Sequence, residues 1–186
     1  MMFRKLGLIN KKQMGMTMVE VMLVIAMTGV ISGGITMTFF QTFNGTVRAS
    51  NRITAISQVQ SAGYWVSNYA QLAQDVVIDD DPTGFPLVLS WTDWDDQEHE
   101  VTYTLEDMAA GGLKQLWQSY EVDAGEPTET MLAVCIDPAE TNVDYADTNG
   151  DDVDDTVIFK VTVIIGSGQQ EQSEVRVYNI TPRPGS

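Results

Sequence analysis

The sequence predicts an α+β protein: a long N-terminal helix, membrane-spanning in its first half and amphipathic in its second, packed on an antiparallel β-sheet domain. Three observations carry that expectation. Residues 16–40 hold a single charged side chain, Glu20. Residues 47–78 place apolar side chains mostly at helical steps of three and four. From Leu87 onward the apolar period changes to two.

Composition narrows what such a chain can do. It has 186 residues, with 10 Lys plus Arg against 26 Asp plus Glu, for a formal charge of -16. Arg4, Lys5, Lys11 and Lys12 precede position 13, and no acidic residue precedes Glu20. The rest of the chain therefore carries six basic and 26 acidic side chains, a net of -20. A surface of that sign cannot neutralise phosphates, so no nucleic-acid contact is expected. Hydrophobic residues make up 44%, enough for a core and unlike a disordered acidic tail. Cys135 and His99 are each the sole residue of their type, which excludes an intrachain disulfide and a Cys or His transition-metal cluster. Cys135, in the apolar run 131–136, reads as a buried small hydrophobe, and His99, among Asp95, Asp96, Glu98 and Glu100, as part of a solvated turn. No GxSxG, P-loop, HExxH or GxGxxG motif occurs, so nothing argues for an enzyme.

The first element is the apolar segment. At about 1.5 Å per helical residue, residues 16–40 suffice to cross a hydrocarbon core of about 30 Å. Basic residues precede the segment and the acidic bulk follows it. The positive-inside rule then places the N-terminus in the cytoplasm and the C-terminal domain outside, as a single-pass protein of the cytoplasmic membrane. An export signal also has a basic region and an apolar run, but this run is long and carries a carboxylate near its start. The small residue Gly15 lies before it, so cleavage there would leave the apolar segment on the mature chain.

Lys11-Lys12-Gln13-Met14-Gly15, followed by Met16-Thr17-Met18-Val19-Glu20-Val21-Met22-Leu23-Val24-Ile25-Ala26, resembles the class III leader of type IV pilins and pseudopilins. The match covers about thirty residues. It implies a leader at residues 1–15, cut between Gly15 and Met16 by a prepilin peptidase that methylates the new N-terminus. The family's usual first mature residue is Phe, where this chain has Met16. Further partners implied are other pilin or pseudopilin subunits and an assembly platform with its ATPase, which draw the chain from the membrane into an extracytoplasmic filament.

A carboxylate within a membrane is costly and is usually partnered. Met16 and Glu20 are four residues apart, about 6 Å along a helix. The resemblance implies that Glu20 of one subunit meets the Met16 amine of a staggered neighbour. The alternative is that Glu20 caps its own helix N-terminus. Gly29 and Gly33 form a GxxxG spacing beside Gly34, a small face that lets helices approach closely and also weakens the helix.

The amphipathic continuation is expected over residues 41–80, ended by Asp79-Asp80-Asp81-Pro82-Thr83-Gly84, with the acidic β domain over residues 81–186. Candidate strands are 87–91, 100–105, 113–122, 130–136, 156–165 and 174–180. Val101, Tyr103 and Leu105 alternate with Thr102 and Thr104, as in a half-buried strand. Short connections imply antiparallel pairing against the helix. Trp91, Trp94 and Trp117 read as core and rim packing. The layout, with a polar helix around Gln58-Val59-Gln60 and a late strand pair, resembles J-type minor pseudopilins and W-type minor pilins.

One loop carries a further pattern. Asp147, Asn149, Asp151 and Asp155 supply side-chain oxygens at loop positions one, three, five and nine, with the carbonyl of Val153 between them. This resembles the calcium loops of dockerins and thrombospondin-type repeats. It departs from them at the sixth position, Asp152, and at the twelfth, Ile158; Asp144 or Asp137 would complete the shell. A solvated acidic hairpin loop is the other reading. The sequence thus points first to a minor pilin or pseudopilin, a structural and assembly subunit of a type IV pilus or type II secretion-like filament. The second reading is a membrane-anchored, calcium-dependent extracytoplasmic binding module, and an enzyme using paired carboxylates is the weakest.

Overall fold

A computed structural model describes residues 15–109, 111–147 and 155–183. Its elements are α1 (Met18–Ala70), β1 (Asp75–Ile78), β2 (Leu87–Thr92), β3 (Glu98–Asp107), β4 (Lys114–Val122), β5 (Thr128–Ile136), β6 (Asn142–Ala146), β7 (Thr156–Ile165) and β8 (Gln172–Ile180), with a 3-10 turn at Gly168–Gln170. A long apolar N-terminal helix followed by an antiparallel, curled sheet is the expected α+β arrangement. The described residues divide into two units between Asn44 and Gly45.

In the first unit, Thr17 stands immediately before α1, and its Oγ1 accepts from the Glu20 N–H at 3.3 Å. Glu20 thus occupies the third helical position of an ST-x-x-E pattern, where the N-cap side chain satisfies an otherwise unpaired amide. Along the apolar stretch the threonine hydroxyls bond to carbonyls one turn back: Thr28 to Val24 O at 2.7 Å, Thr36 to Ser32 O at 2.8 Å, and Thr38 to Gly34 O at 2.9 Å. In lipid, polar groups must be satisfied internally, and these bonds do so. By length and composition α1 can cross a membrane.

In the second unit, β1 to β5 form a meander. β8 covers Val157 to Ile165 along one edge of β7, while β6 (from Thr156 to Lys160) and Ile136 of β5 (at Val163) share the other. The two ends of the sheet meet where the Val143 N–H donates to Thr83 O at 2.8 Å, so the sheet curls. Gly84, at φ 70°, passes so close to the Val143 carbonyl that a side chain there would strike it.

Within this unit, Ala55, Val59, Ala62, Gly63, Val66 and Ala70 of α1 are buried. They recur at helical spacing, and their small size lets the sheet close in upon them. From the sheet come Leu87, Leu89, Val101, Tyr103, Leu116, Ile136, Val157, Phe159, Val161 and Val163, all fully buried. Gly63 leaves room for the Tyr178 ring, and a methyl group at that position would overlap it. Tyr178 Oη donates to Val59 O at 3.1 Å and Tyr103 Oη to Trp65 O at 3.0 Å, so sheet phenols grip helix carbonyls from both sides of the seam. Burial pushes the Tyr103 phenol far above its usual range.

Two boundaries differ from expectation, and two strands, β1 and β6, are additional to those expected. α1 stops at Ala70, ten residues before the expected end at 80. The Gln74 N–H donates to Ser90 O at 2.8 Å, which draws the chain into β1, where helical stepping through Ala73 and Val76 was expected. The β domain therefore begins at Asp75, before residue 81. β6 was not anticipated; Val143 is its only fully inward side chain, too little for a visible alternation. All six expected strands form, with ends shifted by at most two residues.

Candidate functional site

The residues expected to act in processing and assembly lie at the start of α1 and along its apolar stretch. Gly15 and Met16 precede the helix and are exposed. Glu20 is exposed on the first turn, its own N–H bonded to Thr17 O at 3.0 Å as well as to Thr17 Oγ1. Thr17 is a cap that the sequence carried in plain view, as the pattern Thr17-Met18-Val19-Glu20. Gly29, Gly33 and Gly34 have open space where a Cβ would stand. Gly34 lies in a shallow apolar groove beside Val30, Ile31, Ile35 and Phe39.

The proposed calcium residues lie between β6 and β7. Asn149, Asp151 and Val153 fall outside the described residues, whereas Asp147 and Asp155 are described and each already engaged. The Asp155 N–H donates to Ala146 O at 3.1 Å, and its Oδ1 accepts from Thr156 Oγ1 at 2.8 Å. Asp144 accepts from Asn142 Nδ2 at 2.6 Å, and Asp137 Oδ1 from the Ala139 N–H at 3.0 Å. Among the described residues, no cluster of three His, Cys, Asp or Glu is placed to hold a metal.

A polar and aromatic cluster that sequence reasoning missed forms where β2, β3 and β4 meet the end of α1. His99 is not in a solvated turn. It lies on β3, its side chain 12% exposed, with Nδ1 2.7 Å from Tyr120 Oη and Nε2 3.2 Å from Asp93 Oδ2. An ionised carboxylate only accepts, so Nε2 carries a proton toward Asp93. In the neutral ring Nδ1 then accepts from the Tyr120 hydroxyl. The imidazole lies parallel to Trp91, with ring centres 5.0 Å apart and planes 6° apart, and also stacks on Tyr120; Tyr69 of α1 packs against both Trp91 and Tyr120. The acids that suggested a solvated turn, Glu98 and Glu100, point to the opposite face of β3, because strand side chains alternate. The parity His99, Val101, Tyr103, Leu105 was the available signal. On that opposite face Asp75, Ser90, Glu100 and Glu121 align across four strands in a polar cleft of about 510 Å³.

Asp93 also organises the turn that joins β2 to β3. Its Oδ1 accepts from the Asp95 N–H at 2.8 Å and the Gln97 N–H at 3.1 Å, and its own N–H donates to Gln97 O at 3.0 Å. Chiefly the Gln97 amide, with His99 and the Asp95 amide, holds the Asp93 carboxyl below the usual aspartate range. Trp94, within this turn, is 89% exposed, contrary to its reading as packing. Trp117 sits half-buried on the outer sheet face opposite Thr104 and Met131. Cys135 is half-buried rather than buried. It adopts φ 59° where β5 bulges against β4, and its N–H donates to Met108 Sδ at 3.3 Å.

No family model, curated protein or solved structure matches this chain.

Proposed function

We propose that this chain is a minor pilin or pseudopilin, a filament subunit made as a precursor, cut between Gly15 and Met16 and assembled through its N-terminal helix. One observation carries the reading. The Gly15-Met16 junction and Glu20 stand just before and on the first turn of a helix whose following stretch is apolar, internally satisfied in its threonines, and exposed among the described residues. Such a surface needs lipid or other subunits to cover it. Thr17 Oγ1 accepts from the Glu20 amide, and in this reading the Glu20 carboxylate meets the Met16 amine of a neighbour. The cytoplasmic leader, the extracytoplasmic β domain, the processing peptidase and the assembly ATPase with its platform belong to the same proposal. Calcium at residues 147–155 is a separate part of it, to be abandoned if calorimetry with millimolar calcium gives neither heat nor a thermal shift.

The mass of the mature N-terminus is the direct test. A methylated Met16 is expected; an intact leader, or a cut after residue 40, rejects the filament reading. Glu20→Ala should leave membrane insertion unchanged and reduce incorporation into filaments, and equal incorporation would remove Glu20 from the mechanism.

A further inference from the structure

Trp94 is the most exposed large apolar side chain among the described residues, at 89%. Exposure of a lone apolar residue is ordinary; its mounting here is not. The turn that carries it is closed by three bonds from Asp93 to the Asp95 and Gln97 backbones. Asp93 is in turn held by His99, which is clamped between Trp91 and Tyr120. A second turn locks onto the first: the Glu98 N–H donates to Asp123 Oδ1 at 2.9 Å, and the Asp123 N–H to Glu98 O at 2.8 Å. The indole is therefore presented by a fixed backbone, which lowers the ordering cost of binding, and tryptophan is among the residues that most often anchor interfaces.

The surroundings define what can receive it. Asp95 and Asp96 follow Trp94 directly in the turn, and Asp123 is tied to Glu98 at the turn's end; all four acids are exposed. An anionic membrane surface repels a turn that carries so many carboxylates. A second copy of this chain fits poorly too. Its apolar recess lined by Phe85, Pro86 and Leu105 also holds Asp81, and the Lys114 beside it is paired with Asp107 at 3.5 Å. We infer that Trp94 is a preformed anchor for a different protein, one that offers an apolar socket rimmed by Lys or Arg. The inference does not rest on the filament reading.

The test places a photoreactive p-benzoylphenylalanine at position 94 of the full chain in the cell that makes it. The expected result is an adduct with a second protein whose cross-linked peptide combines apolar residues with Lys or Arg. Its yield should fall when Asp95→Lys and Asp96→Lys are combined, and when salt is raised. The purified partner should bind the Trp94→Ala chain about 30-fold more weakly or worse. Trp94 is 89% exposed, so the variant removes little intrachain packing and its circular dichroism should match the parent. An adduct only with lipid, an adduct only with copies of this chain, a yield indifferent to charge, or no adduct at all would each overturn the inference.

Discussion

The two halves of α1 use the same residue type for opposite ends. Gly29, Gly33 and Gly34 meet nothing among the described residues, whereas the space beside Gly63 is filled by the Tyr178 ring. Each glycine costs a helix about 1 kcal/mol relative to alanine. In the second half the cost is repaid within the chain, because only a glycine admits the phenol that bonds to Val59 O. In the first half nothing among the described residues repays it. The proposed filament would supply another helix to meet those small residues, so a stability measurement and an assembly measurement should separate the two halves.

The largest expected difference is therefore between Gly63→Ala and Gly33→Ala. The first forces a methyl group into the Tyr178 ring and should cost about 1–3 kcal/mol of β-domain stability, read as a lowered midpoint in denaturant unfolding of the detergent-solubilised chain. Combining it with Tyr178→Leu should recover part of the loss, a coupling that a double-mutant cycle reports. Gly33→Ala should leave that midpoint in place. If both variants unfolded alike, the distinction between the halves would fail.

Smaller effects probe the seam itself. Tyr103→Phe and Tyr178→Phe each remove one phenol-to-helix hydrogen bond, worth about 1 kcal/mol. Tyr103 should be the more costly of the two, since its side chain is wholly buried whereas Tyr178 is only partly so. Equal costs in the two variants would mean that burial does not weight these bonds.

How much of this was legible depended on whether a signal was local. Strands such as β3 announced themselves because Val101, Tyr103 and Leu105 alternate with threonines, and the membrane-length stretch because one charge stands in residues 16–40. β1 was hidden because Ala73 and Val76 continue the helical stepping, and only the distant partner Ser90 decides against a helix there. His99 was misjudged by its sequence neighbours, which a strand sends to the other face. Its real partners, Trp91, Asp93 and Tyr120, meet it through strand pairing and turn closure. The slot at Gly63 is similar, since Tyr178 lies 115 residues away in the chain. The cap at Thr17, by contrast, could have been read from four adjacent residues.

The smallest expected effect concerns acid. Asp93 is depressed chiefly by the Gln97 amide, Asp81 by the Thr83 amide and hydroxyl, and Glu140 by Lys160. A carboxyl that ionises more readily folded than unfolded contributes its stabilisation in full above its unfolded value, 3.8 for aspartate and 4.5 for glutamate, and loses it as pH falls through the lower folded value. Stability of the β domain should therefore fall as pH drops below about 5, through its turns and through the Glu140–Lys160 pair rather than through the apolar seam. Asp81 and Glu140 are exposed to solvent and Asp93 partly so, so each contribution is small. Asp93→Asn should flatten that slope without abolishing it, because Asp81 and Glu140 still titrate. An unchanged slope would show that Asp93 closes its turn equally well when protonated. The rigid mounting of Trp94 would then rest on the stacked His99 and on the Asp123 lock rather than on the Asp93 charge.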